Sequence, residues 1–360
     1  MSKKIGIVTG GGDCPGLNVV IRAVAKAAAQ RGWESVGVLG GYEGLLEPRE
    51  FRPLDYNALS GLLTRGGTIL GTANRGKFSA KVGHGENRQL PKELLDATRA
   101  GMEALGLSAL VSIGGDGSLS IAQQLHQHGL PIVGVPKTID NDLHGTLMTF
   151  GFDSAVACAT DALDRLHTTA ESHNRVMVLE LMGRYAGWIA LYSGVAGGAD
   201  VILIPEIPFT YESICAKISE RESVGKRFTL IVVAEGAREK GRDFTTSAAP
   251  EGNREARLGG IGSVVTAEVE KRSGKEARCC VLGHLQRGGV PTTFDRALCS
   301  MFGATAVELI AAGQFGKMPA FTGAGVAAVN ISDAIGRLKT VPPDGNFART
   351  ARALGISLGD

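Results

Sequence analysis

Three aspartates stand in two short runs of this 360-residue chain, VSIGGDGSLS at 111–120 and VPKTIDND at 135–142. Each run begins as an apolar, strand-like segment and carries its acids where that segment ends. Asp116 lies between glycines, where a phosphate would also lie. A carboxylate there repels a phosphate unless a cation bridges the two. Mg2+ is typically held by one or two carboxylates together with substrate phosphates and waters, so Asp116 is a candidate metal ligand. The bland alternative is a helix N-cap. Asp140 and Asp142, two residues apart, can divide their roles. Asp140 could accept the proton of a hydroxyl, and Asp142 could orient a group or assist the metal. An Asx-turn loop is the alternative there.

Three more glycine-rich junctions carry charged or polar groups. GGGDCPGLN (10–18) follows a strand-like run and opens a helical one. Glycines allow close backbone approach, and a helix N-terminus offers N–H groups and a positive dipole end to an anion. A plain tight turn is the alternative. The run is not G-x-G-x-x-G, and the chain contains no G-x-x-x-x-G-K-[ST]. MGRYAGW (182–188) brings Arg184, suited to a phosphoryl group or a developing negative charge. GHLQRGG (283–289) brings His284 and Arg287 beside glycines, which points to anion binding rather than a solvated loop. Arg65, Arg75, Arg175 and Arg278 are further candidates that say little singly. Several anion cradles and one metal-bridging carboxylate suit phosphoryl transfer from a polyphosphate donor to a phosphorylated acceptor.

These groups need elements to position them. Strand-like runs at 5–9, 35–39, 109–113, 131–135, 176–181, 201–205, 228–234 and 279–283 alternate with helical patterns at 17–30, 92–105, 117–128, 154–170, 186–197, 211–221, 262–272 and 295–312. All-apolar strands alternating with helices predict parallel sheets covered on both faces. There are too many strands for one mononucleotide fold, so two doubly wound α/β (Rossmann-like) domains are expected. Ligands then bind beyond the carboxyl ends of the strands. The polar stretch 76–91 reads as a surface excursion, and the charged stretch 237–256 as mobile.

Bulk properties exclude several classes. The net charge is +2, so no field for nucleic acid is implied. The 51 glycines have no period, and 44% of residues are hydrophobic, enough to fill a core. Six cysteines lack C-x-x-C or zinc-ligand spacing and read as reduced thiols of a cytoplasmic protein. The stretch 186–199 is too short and too rich in Gly and Ser to span a membrane, and MSKKIGIVTGGG has no signal-peptide h-region.

Taken in order, GGGDCPGLN, RGGTILGTANRG (65–76), IGGDGS, PKTIDND, MGRYAGW and GHLQRGG resemble the signatures of the phosphofructokinase family, from the first strand to about residue 315. The resemblance implies a phosphotransferase of glycolysis that moves a phosphoryl group from ATP to the 1-hydroxyl of fructose 6-phosphate, with Mg2+. It implies a nucleotide-binding domain of residues 1–150 plus about 287–337, a sugar-phosphate-binding domain of 151–286 plus about 338–360, and an active site in the cleft between them. By resemblance, Gly12, Arg75, Gly76, Gly115, Asp116, Gly117 and Ser118 bind the nucleotide, and Asp116 the metal. Asp140 is the base, while Thr138 and Arg184 steady the transferred group. Thr138, Asp140, Met182, Gly183, Arg184, Glu235, His284 and Arg287 hold the sugar phosphate. Arg175 and Arg278 match arginines that reach a neighbouring subunit's 6-phosphate, which implies a homo-oligomer, at least a dimer and typically a tetramer.

Within the family, donor choice is implied by two positions. Gly117 leaves room for the α-phosphate of ATP, where pyrophosphate users carry Asp. Lys137 is the pyrophosphate-type signal. The combination resembles a mixed subgroup whose ATP users keep this lysine, so ATP is the expected donor and pyrophosphate the alternative. At the effector positions Arg22 and Lys226 match the family, Lys26 replaces an arginine, and His167 and Val224 stand where basic residues are expected. A thinned basic cluster predicts a weaker hold on anionic effectors. NAD kinases and lipid kinases also carry GGDG but do not account for the other motifs, and a non-catalytic sensor of sugar phosphate would be expected to lack Asp140 or Asp116.

Overall fold

The computed structural model describes residues 3–55, 59–73, 76–78, 81–82, 86–87, 89–248 and 257–360. In chain order its elements are β1 (Lys4–Thr9), α1 (Leu17–Ala29), β2 (Glu34–Val38), β3 (Phe51–Pro53), the short β4 (Lys81–Val82) and β5 (Glu86–Asn87), α2 (Lys92–Ala104), β6 (Ala109–Gly114), α3 (Asp116–Gln127), β7 (Ile132–Pro136) and α4 (Phe152–His173). There follow β8 (Val176–Leu181), α5 (Trp188–Ala196), β9 (Val201–Leu203), α6 (Tyr211–Ser223), β10 (Thr229–Ala234), β11 (Thr246–Ala248), β12 (Arg257–Leu258), α7 (Ile261–Ser273), β13 (Ala277–Val281), α8 (Thr293–Ala311), β14 (Lys317–Phe321), β15 (Val326–Asn330), α9 (Ile331–Ala334) and α10 (Asn346–Ala353). Two compact units emerge. One comprises Met1–Ile139, Leu143–Ser154 and Arg287–Leu338, the other Asp140–Asp142, Ala155–Gln286 and Lys339–Asp360.

The first unit holds a seven-stranded sheet of order β15-β14-β7-β6-β1-β2-β3. Its interior strands run parallel, and the edge strands β3 and β15 are antiparallel. Every residue of β6 is buried, as are Ile5 to Thr9 of β1, which is what a sheet covered on both faces demands. The chain steps from β1 outward to β2, then returns to place β6 on the other side of β1. That reversal is a topological switch point, and such a point opens a crevice at the carboxyl ends of its strands. Helix α1 buries Leu17, Val20, Ile21, Val24 and Ala28 along one stripe and packs on α8, where Gly303 lets the backbones close in.

The second unit holds a four-stranded parallel sheet of order β13-β8-β10-β9. Its reversal falls between β8 and β13. The edge strand β13 is open to solvent at Arg278 and Val281. Both expected parallel sheets are present. The periodicity reading ends at residue 312, and the hairpin β14–β15 lies beyond it. Pro319 sits within β14 and argues against a strand from sequence, but β14 is in register with β7 only at Lys317, so the ladder on that side does not run past the proline. Among the described residues no helix is long and apolar enough to cross a membrane.

Candidate functional site

In the first unit the site is built at the β1/β6 switch point. The loop leaving β1 is pinned at its carbonyls. Thr72 Oγ1 donates to Gly11 O at 2.6 Å, Lys137 Nζ donates to Gly12 O, and Arg287 Nη1 donates to Asp13 O at 3.2 Å. Gly10 N–H closes the loop onto Ile113 O at 2.9 Å. A Cβ at Gly12 would stand 2.7 Å from Arg287 Nη1, so a side chain there would displace that guanidinium. A Cβ on Gly10 would stand 2.5 Å from Ser118 Oγ, and one on Gly114 would stand 2.7 Å from it.

Asp116 is the first residue of α3. The N-cap is Gly115, which makes no side-chain cap bond, so Asp116 is not the N-cap. Its Oδ1 accepts the Gly336 N–H at 3.1 Å. Ser118 is buried at the helix start, its carbonyl accepting Tyr42 Oη–H at 3.0 Å. Among the described residues no cluster of three or more His, Cys, Asp or Glu could hold a metal. A single hard carboxylate at a glycine-lined helix start does fit an Mg2+ that takes its remaining ligands from phosphate and water. Of the other nucleotide-site candidates, Gly76 has a left-handed backbone at φ +112° and Arg75 lies outside the described residues.

PKTIDND crosses from one unit into the other. Lys137, Thr138 and Ile139 cluster with the first unit, Asp140 to Asp142 with the second. Lys137 is only 4% exposed. Thr138 O accepts Thr149 Oγ1–H at 2.7 Å. Asn141, between the two acids, is buried and left-handed at φ +50°, a conformation Asn adopts more readily than most residues. Lys339, which no motif suggested, donates from Nζ to Asn141 Oδ1 at 2.9 Å and from its backbone N–H to Asp142 O at 2.8 Å. Burial pulls the Lys339 ammonium down to about 8, partly countered by the Asp142 carboxylate.

The second unit has a cavity of 570 Å³ at the carboxyl end of its sheet, lined among others by Glu180, Met182, Arg184, Glu235, Gly260 and His284. Four predicted sugar-site residues, Met182, Arg184, Glu235 and His284, are thus brought to one concavity. Neighbouring Gly183 has φ +135°, and Gly236 N–H donates to its carbonyl at 3.1 Å. Gln286 is fully buried. Its Oε1 accepts Met182 N–H at 2.8 Å, and its Nε2 has no partner among the described residues. Glu180, 3% exposed near the end of β8, accepts the N–H groups of Gly260 at 3.1 Å and Gly262 at 2.8 Å and so anchors the start of α7. Neither residue was singled out from sequence. Gln286 hid inside a motif read for its cations, and Glu180 inside an apolar strand.

Arg175 and Arg278 are not in that cavity. Arg175 precedes β8 and Arg278 lies early in β13, opposite Met177 in register. Both flank Glu276, Arg175 Nε at 2.7 Å and Arg278 through Nη2, and these cations hold the Glu276 carboxyl below its ordinary range, the Arg175 bond foremost. Seven steps along the strand at ~3.3 Å each put about 23 Å between Arg175 and Met182. Arg287, expected with His284, clusters with the first unit.

A family model described as Phosphofructokinase matches residues 4–310. The chain is 51% identical over 358 residues to an ATP-dependent 6-phosphofructokinase of Chloroflexus aggregans, covering 99% of this chain and 98% of the relative. It is 47% identical over 343 residues to a pyrophosphate–fructose 6-phosphate 1-phosphotransferase of Streptomyces coelicolor, covering 94% and 96%. Phosphofructokinase from Saccharomyces cerevisiae, a solved structure, matches with a TM-score of 0.80 at 29% identity over 92% of this chain and 45% of that one, so this chain spans less than half of that protein.

Proposed function

Since this chain belongs to the phosphofructokinase family, we propose that it transfers the γ-phosphoryl group of ATP to the 1-hydroxyl of fructose 6-phosphate, with Asp140 as base and Asp116 as the ligand of Mg2+. The observation that carries the reading is the switch-point loop of the first unit. Its carbonyls at Gly11, Gly12 and Asp13 are all bound by side chains. A trans peptide sets its N–H opposite its C=O, so a loop held by its carbonyls turns its amides the other way, as an anion requires.

The donor is assigned to the first unit, on Gly12, Arg75, Gly76 and Gly115 to Ser118, and the sugar phosphate to the second. The reading needs one ternary complex that draws on both. Asp140 takes the proton from the 1-hydroxyl, which is a poor nucleophile until its proton has an acceptor within reach. Asp142 orients that group. Arg184 and Thr138 steady the phosphoryl group in transfer, where positioning and electrostatics supply most of the rate. Bound Mg2+ would offset charge on the donor's phosphate oxygens. Met182, Gly183, Glu235 and His284 hold the sugar. Arg287 keeps further N–H donors for the sugar phosphate beside the one given to Asp13. The placement of Arg175 and Arg278 at the far end of the second sheet supports their serving a neighbouring copy, in a homodimer at least and a tetramer by family resemblance. The reading puts the enzyme in the cytoplasm with its substrates.

Pyrophosphate as donor is the second reading. Lys137 and the 47% identical Streptomyces coelicolor relative favour it. Against it, the Lys137 ammonium is engaged by the Gly12 carbonyl, and residue 117 is Gly rather than the Asp that resemblance implies for pyrophosphate users. A matrix of ATP and pyrophosphate against several sugar phosphates, with and without Mg2+, tests both. ATP with fructose 6-phosphate should dominate and require Mg2+, and equal rates with pyrophosphate would overturn the donor assignment. Asp140→Ser should lower kcat by about 10³ or more with sugar KM nearly unchanged. Near-normal turnover in that variant would remove Asp140 as base.

A further inference from the structure

Residues 339–341 belong to none of the motifs that carry the chemistry, yet they touch two of them. Lys339 reaches the acid loop twice, from Nζ to Asn141 Oδ1 at 2.9 Å and from its N–H to Asp142 O at 2.8 Å. Its own carbonyl accepts Trp188 Nε1–H at 2.8 Å, and Trp188 closes the MGRYAGW run that contains Arg184. Two residues on, Val341 N–H donates to Glu206 Oε1 at 2.7 Å. The same carboxylate accepts Gly187 N–H at 3.0 and 3.1 Å, so MGRYAGW is tied to this segment a second time. All of these residues lie in the second unit.

We propose that Lys339 is a positioning residue for the phosphoryl transfer, fixing the turn of Asp140 and Asp142 at a set distance from the loop of Arg184. The left-handed Asn141 at the centre of that turn is the position with most need of an outside hold. The ammonium supplies it through the Asn141 side chain, and the Lys339 backbone supplies a second hold on Asp142. Lys339 is partly buried, and burial depresses its pKa, as expected of a lysine kept for a fixed contact rather than a solvated one. Small displacements of a reacting group are expensive: about 1 Å costs on the order of 10²-fold in rate.

The inference rests on Asp140 being the base, and the test separates the two ideas. Lys339→Met keeps an unbranched side chain only one atom shorter and removes its charge. It should lower kcat about 30- to 100-fold while sugar-phosphate KM stays within about threefold, and Lys339→Arg should recover part of the loss. Trp188→Phe, which keeps an aromatic ring but removes the indole donor, should lower kcat about threefold to tenfold in the same pattern. In an Asp140→Asn background Lys339→Met should add little, because residues that act through one another are not additive. A Lys339→Met protein with unchanged kcat overturns the inference. So does a loss that merely follows the folded fraction, or one that is fully additive with Asp140→Asn. Should Lys339→Met fail to fold, an unchanged kcat in Trp188→Phe overturns it instead. If Asp140→Asn alone is fully active, it is the base assignment that fails.

Discussion

In the first unit the loop after β1 gives its carbonyls to side-chain donors: Gly11 to Thr72, Gly12 to Lys137, Asp13 to Arg287. In the second unit the loops at the carboxyl end of the sheet give backbone N–H groups to side-chain acceptors: Met182 to Gln286, Gly187 to Glu206, Gly260 and Gly262 to Glu180. The polarity is reversed, and it changes what each unit can offer an anion. Amides opposite pinned carbonyls form a backbone cradle, suited to a polyphosphate of repeating shape. Where the amides are already taken, anion recognition would fall to side chains, and Arg184 and His284 line the cavity there. Side-chain recognition suits a substrate that must be told apart from similar sugars, because an Arg fork is directional.

The comparison can be broken or sharpened by substitution. Arg184→Ala should have the largest effect, about 10²- to 10³-fold in kcat/KM for the sugar phosphate, as for loss of one charge-stabilising donor. Donor KM should move little; steady-state kinetics with each substrate varied checks this. An equal loss toward ATP would dissolve the division of labour between the units.

Asp295, like Asp116 with the Gly336 N–H, departs from this pattern. It is a carboxylate of the first unit that does accept backbone N–H groups, from Gly151 at 3.0 Å and Ser154 at 2.9 Å, but at the start of α4 rather than at a strand-end loop. Burial pushes its carboxyl up to about 6, against the opposing effect of the Ser154 and Gly151 bonds. A raised folded-state value means the folded protein holds the proton more tightly than the unfolded chain. The contribution is therefore fully present below the unfolded carboxyl value near 3.8 and is lost as pH rises through about 6. Relative to Asp295→Asn, the normal protein should lose up to about 3 kcal/mol of stability between those limits and nothing further above them. Denaturant melts at several pH values read this directly, and a flat difference across the window would contradict it.

Glu180→Ala should leave the amides at the start of α7 without their acceptor. The expected cost is about 2 kcal/mol of stability, with a lower thermal midpoint and weakened sugar-phosphate binding. Glu180→Gln should restore part of it, since an amide oxygen can still accept. The smallest effect is expected for Lys137→Met. It should cost about tenfold in kcat/KM for the donor with sugar KM unchanged, because the Gly12 carbonyl loses one donor while Thr72 and Arg287 still hold its neighbours. A selective loss of activity with pyrophosphate instead would show that this lysine acts on the donor and not on the loop.

Much of this was legible in the residues. Alternating apolar runs and helical patterns gave both parallel sheets, because a strand buried on both faces must be apolar along its length. The placement of Asp116 just after β6, and of Arg184 and His284 on one cavity beyond β8 and β13, was readable because each follows an apolar strand-like run. The hairpin β14–β15 was not, since the edge strand β15 needs no such run and Pro319 disguises its neighbour β14. Lys339 was not legible either. A single lysine in a polar stretch carries no periodic or motif signal, and its partners Asn141 and Trp188 are 198 and 151 residues away.

The sequence by itself determined which residue types stand at the strand ends, and with them the reaction class and the order of the motifs, since local pattern and spacing suffice for that. Only the tertiary structure decided how those loops are held. It settled that Asp116 leads α3 without capping it, that Lys137 turns to a backbone carbonyl, that Gln286 and Glu180 consume amides, and that the acid turn is tied to a distant C-terminal lysine. The physical reason is that a hydrogen bond between groups far apart in the chain depends on where the whole fold brings them, and no local stretch encodes it.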